Sequence, residues 1–174
     1  MDLFVDILKI ILPAGLVFAA AYLIIKRFLD AERERREADN RRANQAATTP
    51  LRLQAYERIV IFLERISPSS LVVRVNRQGL TSHQLHLELI KTVKSEYEHN
   101  ISQQIYMSYN SWELVKNAKE EIIKLVNLTA TKVDQHSPGN ELAMAILNVA
   151  ANVGKKLPTD VAIEYIKKEV NNLY

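Results

Sequence analysis

The chain has 174 residues, with 23 Lys or Arg, 20 Asp or Glu and no cysteine, so its formal net charge is +3 at neutral pH. This small charge argues against a generic nucleic-acid surface, which needs clustered cations that release counterions, and no specific nucleic-acid partner is expected. The lack of cysteine excludes disulfides, thiol nucleophiles and cysteine-ligated metal sites.

The first element is an apolar run from Ile7 to Ile25, whose 19 residues include one charged side chain, Lys9. A helix of this length spans about 28 Å, close to the roughly 30 Å hydrocarbon core of a lipid bilayer. A cleaved signal peptide would carry its positive charge before the apolar run, whereas Lys26 and Arg27 follow it. The sequence therefore predicts a retained transmembrane anchor over residues 1–29.

Charges on the two sides of this anchor predict its orientation. Seven of the 17 residues from Lys26 to Arg42 are Lys or Arg, whereas the residues before Ile7 include none and carry Asp2 and Asp6. The positive-inside rule then places the amino terminus outside and everything after the anchor in the cytoplasm. The predicted protein is a single-pass membrane protein with Lys26 and Arg27 as its membrane-flanking cations.

Residues 30–49 predict a charged helical stalk. They contain five acidic residues and five arginines, and pairs such as Glu32 with Arg36 have the four-residue spacing that supports a solvated helix. The segment Asn44–Thr49 contains no charged residue and is expected to be a hinge. An alternative function for residues 26–80 is electrostatic binding of anionic lipid or RNA, which the interspersed acidic residues weaken.

Residues 50–174 predict one cytoplasmic, all-α domain of about five helices. Apolar residues recur at helical spacing in each of them, and Thr81 with Gln84 has the pattern of a capping box. The expected helices cover about 50–66, 81–99, 110 to before 136, 140–153 and 159–173. Ser67 to Leu80 is expected to be a loop, because its apolar residues alternate without a second strand to pair with.

Catalytic signatures are weak throughout the sequence. Glu96 and His99 have the spacing of the Glu-x-x-His pairs in di-iron helical bundles, but such sites need two pairs and further carboxylates, and the sequence has no second pair. It also has no glycine-rich phosphate loop and no nucleophile elbow. We expect a non-enzymatic protein without cofactor or metal, and a metal-dependent helical enzyme using Glu96 and His99 is the less favoured alternative.

The 13 residues from Asn100 to Trp112 contain no Asp, Glu, Lys or Arg. Aromatic residues with polar tips and methionine are enriched at protein interfaces, although they are also ordinary core residues. The residues selected as a partner-binding surface are four from this segment with three arginines as an electrostatic rim, namely Tyr106, Met107, Tyr109, Trp112, Arg52, Arg58 and Arg65.

A second unusual segment runs from Leu142 to Val153 and also lacks charged residues. A helix without charge on any face is usually enclosed, either within its own bundle or by another chain. We expect this helix to be enclosed within its own bundle.

Two long stretches, PLRLQAYERIVIFLERISP and EYEHNISQQIYMSYNSWELVKNAKEEIIKL, follow the anchor and stalk. With them, the chain resembles a family of bacterial single-pass membrane proteins of unknown function, over nearly its whole length. The resemblance implies a Gram-negative inner membrane and a mostly helical cytoplasmic domain, and it supplies no activity, cofactor or functional residue. The expected function is a membrane-tethered adaptor or structural subunit of an inner-membrane protein assembly, with a protein partner or a second copy of itself.

Overall fold

The computed structural model describes the backbone of residues 2–152 and 154–173, and the side chains of residues 11–13, 15–152 and 154–172. Regular structure in these residues is helical, apart from an isolated bridge between Thr81 and Pro138, and the predicted all-α class is confirmed. The chain divides into two structural units, Met1–Thr49 and Pro50–Tyr174.

The first helix, α1 (Asp2–Ile66), includes the whole described part of the first unit, so the predicted stalk is helical. Helix α1 continues through Asn44–Thr49, and the boundary between the two units follows Thr49, so the hinge expected in this segment stays a prediction. Alanine, which has the highest helix propensity, occupies three of the positions 43–47, and the Thr48 hydroxyl donates to the Asn44 carbonyl at 2.9 Å. Pro50 lies within α1, where it provides no backbone N–H donor.

The second unit combines the last part of α1 with five further α-helices and one 3₁₀ helix. The additional elements are α2 (Pro68–Val75), α3 (Ser82–Asn100), a 3₁₀ helix (Ile101–Tyr106), α4 (Tyr109–Ala130), α5 (Gly139–Asn152) and α6 (Pro158–Leu173). Helix α4 packs against α3, α5 and α6, and α5 also packs against α2 and α3. The largest fully buried side chains are Phe62, Ile59, Leu63, Ile66, Leu71, Leu85, Leu89, Ile122, Leu142, Ile146, Ile166 and Val93.

Helix α2 replaces most of the loop that was expected at Ser67–Leu80, so that prediction is wrong. Pro68 occupies the first turn of the helix, where its fixed backbone angle suits the conformation and its missing N–H has no helical partner to lose. Leu71 and Val72 are buried, whereas Val73 is 78% exposed. The apolar residues therefore form one face of a short helix and do not alternate as in a strand.

The start of α3 confirms the predicted capping box. The Thr81 hydroxyl accepts from the Gln84 backbone N–H at 3.2 Å, and the Gln84 side chain accepts from the Thr81 N–H at 3.0 Å. The Gly139 N–H donates to the Leu80 carbonyl at 2.8 Å, where an added Cβ would lie 3.0 Å from that oxygen. This close approach fixes the start of α5 beside the start of α3.

Helix α5 is not enclosed by the rest of the described chain, contrary to the prediction. One face, with Leu142, Ala143 and Ile146, is buried against the neighbouring helices. The opposite face is open, and Met144 on it is 59% exposed. Half of this helix, whose residues after Glu141 are uncharged, thus faces solvent, because the bundle packs against one side of it.

Candidate interaction surface

The apolar part of α1 is the most exposed apolar region of the chain that the structure describes. An 18-residue window in this helix reaches a mean hydropathy of 1.7, which makes it a candidate membrane span near the N-terminus. Eleven large apolar side chains between Ile11 and Leu29 are each more than half exposed. Lys26 and Arg27 are exposed near the end of this region.

The second unit carries a smaller exposed apolar region, which we call the 101–109 segment. It consists of the 3₁₀ helix Ile101–Tyr106, the residues Met107 and Ser108, and Tyr109 at the start of α4. The side chains of Ile105 and Tyr109 are 74% and 77% exposed. Both are large and uncharged, so they offer contact area to a partner without the cost of stripping water from a charge.

A carboxylate on α6 holds the end of this segment in place. Oε1 of Glu169 accepts from the Ser108 backbone N–H at 3.3 Å, and its Oε2 accepts from the Ser108 hydroxyl at 2.7 Å. The Ser111 hydroxyl also donates to Glu169, and the Tyr56 hydroxyl of α1 donates to it at 2.5 Å. Glu169 thereby joins α6 to α1, through Tyr56, and to α4, through Ser111 and the N-cap residue Ser108.

This cluster changes the acidity of two of its members. Burial raises the pKa of the Glu169 carboxyl, but hydrogen bonds from Ser111, Tyr56 and Ser108 outweigh burial and hold that pKa below its usual value of 4.5. Burial and the hydrogen bond to Glu169 raise the pKa of Tyr56 to about 12, against a smaller opposing effect of Arg52. At neutral pH Glu169 is therefore ionised and Tyr56 is a neutral donor.

The other end of the segment is tied to α1. Nε of Arg52 donates to the Tyr106 carbonyl at 3.3 Å, and both residues are half-buried. Met107 is also half-buried and packs against the hydrophobic core. Arg52 thus contacts Tyr106, which Met107 follows in the chain, and Tyr109 is the most exposed of these four residues. Their role in binding a partner stays a prediction.

Trp112 occupies a different position from the other predicted contact residues. Its side chain is 7% exposed, and its ring stacks on Tyr97 with centroids 5.7 Å apart. Tyr97 in turn lies 6.1 Å from the ring of Phe62. Trp112 is a core residue in this fold, so its side chain does not contribute to the exposed surface.

The remaining arginines of the predicted rim lie apart from this segment. Arg65 pairs with Oε1 of Glu96 at 2.9 Å, and Arg74 of α2 pairs with the same oxygen at 2.7 Å. Arg58 is exposed on α1. Because Glu96 neutralises part of the charge of Arg65 and Arg74, the cations available for anionic lipid or RNA are fewer than the sequence suggests.

The Glu-x-x-His pair is also divided between different partners. Glu96 is bound by the two arginines, while Nδ1 of His99 lies 2.7 Å from the Ser95 carbonyl. Among the residues whose placement is described, no group of three or more His, Cys, Asp and Glu side chains could hold a metal ion. The pair thus serves here as an ion-pair centre and a local helix contact.

Sequence reasoning missed Ile105 and the Glu169 cluster. Ile105 could have been found, since it lies in the uncharged segment that was selected, but the selection favoured aromatic residues and methionine. Glu169 is 113 positions from Tyr56 and 61 from Ser108, and no local pattern connects them. Such a cluster is recognised only when the helices are placed in space.

Comparison with known protein families places the chain in a family. The model of DUF7935, a family of unknown function, matches residues 2–173, and the chain therefore belongs to this family. No curated protein matches the chain, and no solved structure does. The predicted membership of a family of unknown function is confirmed, while the bacterial origin and membrane topology that the resemblance implied stay predictions.

Proposed function

We propose that this member of a family of unknown function is a membrane-tethered, non-enzymatic adaptor or structural subunit of a protein assembly. Its N-terminal apolar helix crosses the inner membrane of a bacterium once. Residues 50–174 form the domain that contacts protein partners on the cytoplasmic side.

The observation that carries this proposal is the set of exposed apolar side chains between Ile11 and Leu29. Transferring one large apolar side chain from water to an apolar environment stabilises it by about 1.5 to 3 kcal/mol. Eleven such side chains on one helix, with no acid or base among residues 11–25, are far more stable in hydrocarbon than in water. Lipid is the environment that supplies this burial over the length of a single helix.

The orientation rests on the charges that flank the helix. Lys26 and Arg27 follow the apolar region directly, and Asp2 and Asp6 precede it. Cations of this kind remain on the cytoplasmic side during insertion. The choice of a bacterial inner membrane rests on the family resemblance of the sequence.

The 101–109 segment is the surface best suited to a protein partner. Its exposed side chains Ile105 and Tyr109 are held on a backbone that Glu169 and Arg52 fix, so little conformational entropy is lost when they bind. Tethering to a membrane raises the effective concentration of the domain beside other membrane proteins. A contact of modest area between the 101–109 segment and a membrane protein is then sufficient to keep the two bound.

Crosslinking in intact membranes tests the partner surface. We expect Ile105→Ser with Tyr109→Ser to lower recovery of the crosslinked partner about tenfold or more, because well-packed interface residues contribute about 2 kcal/mol each. Val73→Ser is the matched control, since Val73 is as exposed but lies on α2. Unchanged recovery with the double variant, in a chain that unfolds like the wild type, would remove this surface from consideration.

A further inference from the structure

The 101–109 segment has little internal structure to hold its shape. Its 3₁₀ helix runs for six residues, longer than such helices usually extend, and none of the six side chains is buried. The helix ends on a long hydrogen bond, from the Met107 N–H to the Gln104 carbonyl at 3.4 Å. Ile105 and Tyr109 are mostly exposed, and Met107 is the apolar residue of the segment that packs against the hydrophobic core. Such a segment opens locally unless other parts of the chain hold it.

Two tethers hold the segment, and both lead to one turn of α1. Nε of Arg52 donates to the Tyr106 carbonyl at 3.3 Å. Tyr56, four positions later on α1, donates to Glu169 at 2.5 Å, and that carboxylate accepts from both the N–H and the hydroxyl of Ser108. Residues four positions apart lie on the same side of a helix, so a single turn of α1 reaches both anchoring points.

We infer that the turn Arg52–Tyr56 of α1 is a latch for the 101–109 segment, which is ordered while this turn is seated on the bundle and opens when the turn is displaced. Arg52 and Tyr56 are positioning residues, and Tyr56 acts through Glu169, since its own side chain is only 2% exposed. The importance of the latch for partner binding rests on the proposed function, which makes the segment the partner surface. The ordering of the segment itself does not depend on that function.

The geometry of the second tether shows how a buried tyrosine controls an exposed surface. The same oxygen of Glu169, Oε1, accepts from the Tyr56 hydroxyl and from the Ser108 N–H. Ser108 is also the N-cap residue of α4, because its hydroxyl accepts from the Ser111 N–H at 3.2 Å. Loss of the tyrosine donor leaves the carboxylate without its contact to α1, so Ser108 and the residues before it are held less firmly.

Hydrogen–deuterium exchange of the full chain, purified in detergent without a partner, tests the latch. Tyr56→Phe removes one hydroxyl and keeps the ring in the core, and Arg52→Met removes the donor and keeps most of the apolar stem. We expect each variant to speed exchange of the amides in the 101–109 segment about fivefold, since each loses one hydrogen bond of ordinary strength. The double variant should speed it about 25-fold, because both tethers hold the same segment.

Ile59→Val is the matched control. Ile59 is fully buried on the same helix and takes part in neither tether, so its truncation lowers the stability of the whole domain without opening the latch. We expect exchange of the 101–109 segment in this variant to stay within about twofold of the wild type. Circular dichroism of all the variants checks that the helices are intact.

Four results would overturn the inference. They are wild-type exchange of the segment in Tyr56→Phe, an equal increase in Ile59→Val, a double variant no faster than either single variant, and an increase spread evenly over α3, α4 and the segment. The last would indicate a loss of global stability. Because no partner is present, failure here leaves the proposed function to its crosslinking test, and failure of the crosslinking test leaves the latch unaffected.

Discussion

The apolar residues of the N-terminal helix and those of the second unit have similar chemistry and opposite surroundings. From Ile11 to Leu29 the large apolar side chains are exposed, whereas in the second unit residues such as Phe62, Leu89 and Ile122 are almost completely buried. The second unit excludes water by packing against itself. The N-terminal helix has no such packing in the described residues, and under the proposed function lipid takes the place of a protein core around it.

The largest expected effect comes from placing charged residues among the exposed apolar side chains of the N-terminal helix. Leu16→Arg with Val17→Arg should release the chain from membranes, because each arginine near the middle of a spanning helix costs about 2.5 to 3.5 kcal/mol. Cell fractionation measures the release, and Leu16→Ile with Val17→Ile is the apolar control. If the charged variant stayed with the membrane to the same extent as the control, the apolar side chains of the N-terminal helix would not be what holds the chain there.

The next largest effect concerns the buried set. Leu89→Ala on α3 should lower the free energy of unfolding by about 2 to 5 kcal/mol, because Leu89 is fully buried and its removal leaves a cavity. Leu87→Ala on the same helix is the matched control, since Leu87 is exposed and its loss should cost little. Denaturant unfolding measures both, and equal costs would contradict the assignment of the core.

A smaller effect is expected at the Glu169 cluster, which joins α6 to α1 and α4. Glu169→Gln should lower the free energy of unfolding by about 1 to 3 kcal/mol, because the amide nitrogen cannot accept from the surrounding hydroxyls. Glu164→Gln on the exposed side of α6 is the control. A variant as stable as the wild type would show that the carboxylate is not needed to hold these helices.

The same carboxylate gives stability a defined dependence on pH. The pKa of Glu169 is lower in the folded chain than its usual 4.5, so its contribution is complete above that value and is lost as the pH falls through the folded pKa. Tyr56 behaves in the opposite sense, because its pKa rises from 10.0 to about 12 and its contribution is lost as the pH rises over that interval. Unfolding measured at several pH values should show that Glu169→Gln lacks the part of the acid-induced loss of unfolding free energy that comes from Glu169.

The smallest effect is expected in the stalk. Arg36 and Glu32 form an ion pair at 3.1 Å on a solvated helix, and such pairs contribute about 0.2 to 0.5 kcal/mol. Arg36→Ala should therefore leave both membrane attachment and the unfolding midpoint of the domain nearly unchanged. A shift equivalent to more than about 1 kcal/mol would show that the stalk supports the domain, contrary to its solvated character.

Sequence patterns identified the elements that depend on neighbours along the chain. The capping box at Thr81 and Gln84 and the all-α class were correctly predicted because propensity, caps and apolar spacing act within a few residues. Helix α2 was missed because its eight residues offer only two turns of pattern, and the burial of Leu71 and Val72 decides its conformation.

The placement of the candidate surface depended on contacts that the sequence does not display. Trp112 and Tyr109 lie in the same uncharged segment, yet the first stacks on Tyr97 in the core and the second is exposed. They are three positions apart, a spacing that places two residues on the same side of a helix, so helical periodicity does not distinguish them, and Tyr109 is the first residue of α4. The open face of α5 was likewise unpredictable, because a lack of charge does not reveal how many sides of a helix are covered.

The most direct test of the tethering account measures whether water reaches the N-terminal apolar helix. Phe18→Cys and Lys91→Cys each place one thiol in an otherwise cysteine-free chain, and a membrane-impermeant maleimide reacts with the thiolate formed in water. In opened membrane vesicles the account predicts rapid labelling of residue 91, with labelling of residue 18 only after detergent is added. Equal labelling of the two positions before detergent would contradict it.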